Sequence, residues 1–293
     1  MCIRDSNNTA ISGGAGAIHC TNSVLFFSGS VLFQHNQAIQ SSLASGGAIL
    51  VNYNSILTFE STSSTMFIEN TANNEGGAVS VSSSNFTIQN KALFEGNSAV
   101  DGGAISGDAN SRIYCYGGDI VFRNNYATSG GGVISTKSIN VELEGVIFET
   151  NRAWHGGAIT FRGSYLHIST SEFVNNTATL FAGAVDLTAA QTALFEGTNR
   201  FERNHALYGG AMSVNQTNVT FSGENNFLNN NANVGGGAVR AIESLINLRG
   251  NQSFIQNSAQ LGGAMHLSDG SKLQLTEFLS AVFVEIKQQH MVE

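Results

Sequence analysis

Proline is absent from the 293 residues of this chain, and charged residues make up only 12% of them. An average globular protein contains about 5% proline and about 25% charged residues. The net charge is −8 and no cluster of Lys or Arg occurs, which argues against nucleic acid or an anionic membrane as partner. Apolar residues reach 42%, so the chain can build a core, and its composition does not predict disorder.

Cysteine is also scarce, and the three residues Cys2, Cys20 and Cys115 are widely separated in the sequence. They form no CxxC pair, so they predict neither a zinc site nor a redox motif. An odd number of cysteines excludes a complete set of intramolecular disulfides. We interpret Cys20 and Cys115 as small buried apolar residues, and we predict no metal site and no cofactor.

Long apolar runs are missing too: no stretch approaches 18 consecutive apolar residues, so no membrane-spanning helix is predicted. Residues 1–6, MCIRDS, bear no relation to the sequence that follows, and we interpret them as a non-native scar. No basic-then-apolar secretion signal is visible. We expect residues 7–275 to form one domain within a fragment of a longer protein, and residues 276–293 to be an irregular or capping tail.

One phrase, Phe-x-x-Asn-x-Ala, dominates the chain and returns about every 27 residues. Such a period is the signature of a stacked repeat architecture. The phenylalanines of the phrase are Phe33, Phe67, Phe94, Phe122, Phe148, Phe173, Phe201, Phe227 and Phe254. A Gly-Gly-Ala phrase or a near variant follows each copy, with its second glycine at Gly47, Gly77, Gly103, Gly132, Gly157, Gly183, Gly210, Gly237 and Gly263.

The residues after the glycines alternate between apolar and polar, as in Ala78-Val79-Ser80-Val81, which predicts a strand with one face in a core. A second alternating run follows, as at Phe86 and Ile88, and a third short strand carries the motif Phe. Three short strands per repeat predict a single-stranded, right-handed parallel β-helix of about ten coils, stacked at roughly 4.8 Å. The hairpin turns of a sandwich or propeller are not visible.

The repeated residues are predicted to be scaffold. We expect the Phe residues to stack inside the rod, the Asn residues to adopt the left-handed conformation and bond to the same Asn one coil away, and the glycines to form a corner that excludes a Cβ. The predicted ladder contains Phe67, Phe94, Phe122, Phe148, Phe173, Phe201, Phe227 and Phe254, with Asn70, Asn97, Asn125, Asn151, Asn176, Asn204, Asn230 and Asn257.

The pairing of Gly-Gly-Ala-[Ile/Val] with Phe-x-x-Asn resembles the repeats of the chlamydial polymorphic outer-membrane proteins. Similar right-handed β-helix repeats occur in other bacteria and in protists. The resemblance covers about residues 7–275 and implies a β-helix at the cell surface or outside the cell. In the chlamydial case it implies an autotransporter passenger used in adhesion. The resemblance carries over no catalytic residue.

An enzyme is the alternative, because polysaccharide lyases and hydrolases of pectate-lyase-like fold are also β-helices. Their sites usually need clustered carboxylates. The aspartates here are few and scattered in the sequence, so we predict no catalytic residue. One constellation is kept as a weak alternative: Tyr114, Glu142 and His167 are expected on consecutive coils about 5 Å apart, where they could act as an acid–base group or as a plain surface ladder.

A better candidate for contact is the position just before the glycines, which holds His155, Phe181 and Tyr208 on successive coils. A second column beside it holds Trp154, Leu180 and Leu207. An aromatic strip along a rod could bind a protein or a glycan on another surface. The alternative, which we weigh higher, is that one of the two columns tucks inward as ordinary turn packing. The sequence therefore predicts a non-enzymatic, adhesin-like β-helix, with a carbohydrate-active enzyme as the alternative.

Overall fold

The computed structural model describes residues 2–276, except residues 12, 40–43, 109 and 138, together with the backbone of Ala281–Val284 and Lys287–Gln288. All regular secondary structure in these residues is β-strand, arranged in four parallel sheets. Each strand pairs with the strands one coil before and one coil after it, so the fold is a parallel β-solenoid of about ten coils. Its right-handed sense stays a prediction.

Two ten-stranded sheets follow the glycines along each coil. The first sheet consists of Ile18–Thr21, Ile49–Asn52, Val79–Ser82, Ile105–Asp108, Ile134–Lys137, Ile159–Arg162, Val185–Thr188, Met212–Asn215, Val239–Ile242 and Met265–Ser268. The second sheet consists of Val24–Phe27, Ile56–Phe59, Asn85–Ile88, Arg112–Cys115, Asn140–Glu144, Tyr165–Ser169, Thr192–Glu196, Asn218–Phe221, Leu245–Arg249 and Lys272–Thr276.

Two eleven-stranded sheets complete each coil. The third sheet, which carries the motif Phe, consists of Cys2–Ser6, Ser30–Gln34, Ser64–Ile68, Ala92–Glu95, Ile120–Arg123, Val146–Glu149, Glu172–Val174, Thr198–Glu202, Glu224–Leu228, Asn251–Ile255 and Ala281–Val284. The fourth sheet consists of Thr9–Ala10, Gln37–Ala38, Thr71–Ala72, Ser98–Asp101, Tyr126–Gly130, Arg152–His155, Thr177–Phe181, His205–Tyr208, Asn231–Gly235, Ser258–Ala259 and Lys287–Gln288.

The fourth sheet corrects the expectation of three strands per coil. Its strands lie between the motif Asn and the glycines, a stretch in which one alanine is the apolar residue that recurs from coil to coil. These alanines are buried, as at Ala127 and Ala206, while the residues beside them face outward. Strands this short, with so little shared pattern, gain their order from pairing with the neighbouring coils, which the local pattern does not reveal.

Both ends of the chain take part in the sheets where they are described. Cys2–Ser6 pairs in parallel with Ser30–Gln34. Ala281–Val284 pairs with Asn251–Ile255, and Lys287–Gln288 pairs with Ser258–Ala259. These parts of the segments expected to be a scar and an irregular or capping tail are therefore strands; the origin of residues 1–6 and a capping role for 276–293 stay predictions, and the other residues beyond 276 lie outside the described part.

The motif phenylalanines form one continuous stack inside the solenoid. From Phe33 to Phe254, successive ring centres are 4.6 to 5.3 Å apart, with ring planes within 22° of parallel. A second set, which includes Phe195 and Phe221, stacks on the second sheet and meets the first edge-on.

Cys20 and Cys115 are free and buried, as the sequence predicts, and burial raises the pKa of the Cys115 thiol to about 12.

The motif asparagines form a buried hydrogen-bonded ladder beside this stack. The side-chain amide of Asn125 donates to Oδ1 of Asn151 at 3.1 Å and to the Phe94 carbonyl at 2.9 Å, and its backbone N–H donates to the same Oδ1 at 2.9 Å. The pattern repeats on other coils, for example from Asn151 to Asn176. Each amide thus ties three coils together, and its buried polar atoms are satisfied.

The left-handed residue in this turn is not the motif Asn, as we expected, but the residue before it. Positive φ values occur at Glu69 (52°), Thr150 (58°) and Arg203 (53°), which precede Asn70, Asn151 and Asn204. The Asn side chain is then free to bond along the solenoid rather than around its own turn. The fixed hydrogen bonds of the ladder impose the strained conformation on whatever residue precedes it.

The glycine corner behaves as predicted. The first glycine has positive φ, as at Gly76 (63°), and a Cβ on the second glycine, Gly77, would overlap the carbonyl oxygen of Gly103. Ala182 takes the first position of its corner in place of glycine, and it is a buried alanine with φ of 59°. An L-residue in this region costs roughly 1–2 kcal/mol, so Ala182 is a strained point directly after Phe181.

Candidate functional site

The glycine corner joins the fourth sheet to the first and brings two columns of side chains together on its outer side. The residues before the glycines are in direct register from coil to coil: Glu75, Asp101, Gly130, His155, Phe181, Tyr208, Gly235 and Leu261. A Cβ on Gly130 would lie 3.3 Å from Oγ1 of Thr160, which belongs to the first sheet. The pre-glycine column therefore packs against the outward column of that sheet.

The middle of that outward column is buried, which the sequence did not predict. Alternation marked the column as the solvent face of a strand, yet its members from Leu50 to Ser213 are only 2 to 8% exposed, whereas His19 is exposed and Arg240 and His266 are half-buried. The buried members are Leu50, Ser80, Ser106, Ser135, Thr160, Asp186 and Ser213. The cause is the corner itself, because the column before the glycines folds over them. We call the two columns together the corner groove, and it has an aromatic part and a polar part.

In the aromatic part, three rings stack along the solenoid. The rings of His155 and Phe181 have centres 5.3 Å apart at 23°, and those of Phe181 and Tyr208 are 5.6 Å apart at 40°. All three side chains are half-buried. Because the rings stack on one another, their faces are largely occupied by neighbouring coils and their edges are turned to solvent.

Arg240 closes this part of the groove, and sequence reasoning missed it. Its guanidinium carbon lies 5.1 Å from the ring centre of Phe181 and 4.7 Å from that of Tyr208. Each such cation–π contact is worth about 0.5–2 kcal/mol, depending on burial. The available signal was the polar column, in which Arg240 is the only arginine, one coil beyond Ser213.

Trp154 is the part of the predicted strip that protrudes. Its side chain is 47% exposed, whereas the adjacent Leu180 and Leu207 are half-buried. The structure thus brings His155, Phe181 and Tyr208 into one stack and sets Trp154 on the outer face beside it. The inward tuck is therefore partial: the three stacked rings are half-buried, as are Leu180 and Leu207, and Trp154 is exposed.

In the polar part, a cavity of about 60 Å³ opens where Gly130 lacks a side chain. It is lined by Asp101, Ser129, Gly130, Ser135, Thr136, Lys137, His155, Thr160 and Arg162. The Gly130 N–H donates to Oδ1 of Asp101 at 3.0 Å, and the Gly131 N–H donates to Oγ1 of Thr160 at 2.9 Å. The Thr160 hydroxyl donates in turn to the carbonyl of His155 at 3.0 Å, so the cavity wall is held by local hydrogen bonds.

Burial shifts the pKa values of three groups in the groove. It raises the pKa of Asp186 to about 7, although Arg162, Arg240 and a hydrogen bond from Ser213 favour the charged form. It lowers the pKa of His155, with Arg162 acting in the same direction and Asp101 against it. It also raises the pKa of Glu75, which lies 3.7 Å from Lys137. His155 is therefore mainly neutral at pH 7, and its buried Nδ1 has no hydrogen-bond partner.

The weak alternative site lies on the second sheet. Tyr114, Glu142 and His167 are in direct register as expected, and all three are half-buried. The imidazole of His167, however, pairs with Glu196 on the next coil, with Nε2 and Oε2 3.2 Å apart.

A cavity of about 190 Å³ lies beside these residues and is lined in part by Glu142, Glu144 and His167. The two glutamates are two residues apart on one strand, so both side chains project from the same face. His167 thus contacts Glu196 rather than Glu142, as in a ladder of surface side chains. Whether it has an acid–base role stays a prediction.

In residues 2–276, outside the gaps given above, no three His, Cys, Asp or Glu side chains are grouped so that they could hold a metal ion. No helix long and apolar enough to cross a bilayer occurs in the part of the chain that the structure describes.

The chain is similar to a bacterial membrane protein repeat and to a probable autotransporter. Residues 91–108 and 119–137 match the Chlamydia polymorphic membrane protein (Chlamydia_PMP) repeat, in agreement with the resemblance drawn from the motifs. The chain is 30% identical over 174 residues to the "Probable autotransporter YfaL" of Escherichia coli (strain K12); the match covers 48% of this chain and spans 14% of the length of that relative. No solved structure gives a significant match. These similarities indicate a passenger-type β-helix associated with the cell surface or outer membrane.

Proposed function

We propose that this β-solenoid is a non-enzymatic, adhesin-like module, exposed at the cell surface, that contacts a protein on another surface. The contact face is the aromatic part of the corner groove together with Trp154. The observation that carries the proposal is the stack of His155, Phe181 and Tyr208 under Arg240, with Trp154 47% exposed beside it.

The position before the glycines does not require an aromatic residue for the fold. Equivalent positions hold Glu75, Asp101, Gly130 and Gly235 on other coils, and all of these coils close the same corner. Three consecutive bulky rings are therefore an addition to the scaffold rather than a part of it. Aromatic residues and arginine are also the residue types enriched at the centres of protein interfaces.

A protein partner fits this surface better than a sugar. Saccharide rings usually bind against an open aromatic face, and the faces of Phe181 and Tyr208 are taken up by neighbouring rings and Arg240. Ring edges and a protruding indole can pack into an apolar pocket of a protein. Burying the exposed part of Trp154 would contribute at about 25 cal/mol per Å², before association costs.

The test compares adherence of purified variants to a panel of cells with and without surface proteolysis. Trp154→Ser and the double change Phe181→Ser with Tyr208→Ser should each lower adherence at least tenfold, and protease treatment of the cells should do the same. Tyr53→Ser is the matched control, because Tyr53 is 63% exposed and lies outside the groove. Adherence that survives proteolysis, or that falls equally in the control, would overturn the proposal.

The alternative function is that of a carbohydrate-active enzyme, and it can be tested at the second sheet. Its candidate groups are Glu142 and Glu144 beside the larger cavity, because a pair of carboxylates is what glycoside hydrolysis requires. Release of reducing ends from a set of plant and bacterial polysaccharides, abolished by Glu142→Gln, would favour the enzyme. No observation on the geometry favours this alternative over the surface ladder.

A further inference from the structure

Two cations stand side by side at the rim of the polar cavity. Lys137 and Arg162 are direct register partners on adjacent strands of the first sheet. Like charges placed opposite one another in a sheet are destabilising. Lys137 is partly balanced by Glu75 at 3.7 Å, but Arg162 makes no hydrogen bond or ion pair within 4 Å to a described residue. Arg162 is thus the cation at this cavity that no direct contact neutralises, while Asp101 lines the same cavity and the charge of Arg162 also acts on the buried Asp186.

The cavity between them is built into the backbone and does not depend on a flexible side chain. It exists because Gly130 interrupts the pre-glycine column between Asp101 and His155, and a Cβ at Gly130 would lie 3.1 Å from Oδ1 of Asp101. A volume of about 60 Å³ accepts a few water molecules or one carboxylate-sized group. It is too small for a whole sugar ring, which would have to lie across its mouth.

The wall of the cavity mixes charges and hydroxyls. Lys137 and Arg162 can donate hydrogen bonds to the oxygens of an anionic group. The carboxylate of Asp101 can accept hydrogen bonds from sugar hydroxyls, and the hydroxyls of Ser129 and Ser135 can accept or donate them. His155, mainly neutral at pH 7, keeps a buried Nδ1 without a partner at the same cavity. An inorganic anion carries no hydroxyl group that could donate a hydrogen bond to Asp101, so its negative charge would face the carboxylate directly.

We propose that this cavity binds an acidic saccharide, with its carboxylate or sulfate held between Lys137 and Arg162 and its hydroxyls bonded to Asp101 and the serine hydroxyls. This saccharide site shares His155 with the protein-contact face, but its charged groups, Lys137 and Arg162, are not part of that face. The site uses the polar part of the corner groove, and its ligand is recognised through charge and hydroxyls rather than through ring stacking.

The experiment measures binding by isothermal titration calorimetry to the whole chain at low ionic strength. The probes are trigalacturonate, a heparin-derived tetrasaccharide, neutral maltotriose, and sodium acetate and sodium sulfate alone. We expect one or both acidic saccharides to bind, with maltotriose and the two salts at least tenfold weaker. The relative strength of the two acidic probes distinguishes a carboxylate from a sulfate.

The decisive variant is Lys137→Gln with Arg162→Gln, which should weaken binding of the acidic saccharide at least tenfold. Exchanging the two cations, as Lys137→Arg with Arg162→Lys, should retain it. Arg112→Gln is the matched control, since Arg112 is an exposed arginine on the second sheet, away from the groove. Both glutamine-substituted side chains are exposed, so the melting temperature should change little.

Several outcomes would overturn this proposal. They are the absence of binding by either acidic saccharide, unchanged binding in the double glutamine variant, an equal loss in Arg112→Gln, or a simple salt that competes as well as the saccharide. Phe181→Ser with Tyr208→Ser should leave saccharide binding intact while it lowers adherence to cells. The two proposals can therefore fail independently.

Discussion

The interior of the solenoid and its corner groove are built by the same coils, but they follow different rules. Inside, the coils from Phe33 to Phe254 place Phe against Phe and Asn against Asn, and a side chain within this run is fixed by a copy of itself on either side. In the groove, equivalent positions hold Glu75, Gly130, Phe181 or Leu261 without changing the corner. A ladder residue therefore serves the fold, whereas a groove residue can differ from coil to coil and so carry a specific function.

The ladder should show the largest cost when it is broken. Asn151→Leu removes the acceptor of the Asn125 N–H and side-chain amide, and the donor to the Phe122 carbonyl, all of them buried. At about 1–3 kcal/mol for each of these three unpaired groups, we expect a loss of about 3–9 kcal/mol in the free energy of unfolding. Urea unfolding of the two proteins measures it. A neutral result would show that water or a backbone shift replaces the amide.

The phenylalanine stack should rank next. Phe148 is fully buried, with its ring centre 5.3 Å from that of Phe122 and 4.7 Å from that of Phe173. Phe148→Ala removes this packing and leaves a cavity, so unfolding should become about 3–5 kcal/mol easier. Phe148→Leu is the graded control and should cost less. An unchanged urea midpoint would contradict the assignment of this column as the core.

In the groove, the ionisation of Asp186 should make the free energy of unfolding depend on pH. Its folded pKa of about 7 exceeds the ordinary value of 3.8, so the folded state binds the proton more tightly than the unfolded state. Stability from this group is therefore complete below about pH 4, falls as pH rises toward 7, and is level above. The loss is up to about 4 kcal/mol at 1.36 kcal/mol per pH unit.

Asp186→Asn should abolish this dependence, because the amide does not ionise and can still accept the hydrogen bond from Ser213. The difference in unfolding free energy between the variant and the unchanged chain should grow in favour of the variant between pH 4 and 7. Comparing the two proteins at each pH cancels the titration of other carboxylates. A difference that does not change with pH would show that Asp186 has the same pKa in the folded and the unfolded chain.

The smallest effect should come from the strained corner. Ala182→Gly replaces an alanine with φ of 59° by the residue that other coils use, which relieves about 1–2 kcal/mol. The added freedom of glycine in the unfolded chain offsets roughly 0.4–1 kcal/mol of this gain. We expect a net stabilisation of about 0.5–1 kcal/mol in thermal or urea unfolding. A destabilised variant would show that the Ala182 methyl group contributes packing that exceeds its strain.

The sequence predicts the interior well because identical residues recur at identical positions. The repetition of residues such as Phe148, Asn151 and the glycines indicates that they belong to the scaffold. The alternation of apolar and polar residues indicates which side chains are buried in the interior. The left-handed position is less visible, since residues as different as Glu69 and Arg203 occupy it. What fixes it is the hydrogen bonding of the Asn that follows, which no local preference encodes.

The groove is harder to predict because it depends on how two sheets meet. Alternation places Ser213 and Asp186 on the outer face of a strand, and only the corner shows that they are covered. The reach of Arg240 over Phe181, two coils away, depends on side-chain direction rather than on strand register. The cavity at Gly130 is likewise a property of a missing side chain between two neighbours.

The amide ladder also gives the solenoid a polarity along its axis. Asn125 donates to Asn151, and Asn151 to Asn176, always from the earlier coil to the later one. The side-chain dipoles therefore add along the axis instead of cancelling. Two such rods can extend each other only in the same sense, donor end to acceptor end; reversed rods would bring like ends together. A stack of asparagines is thus a directional connector as well as a support.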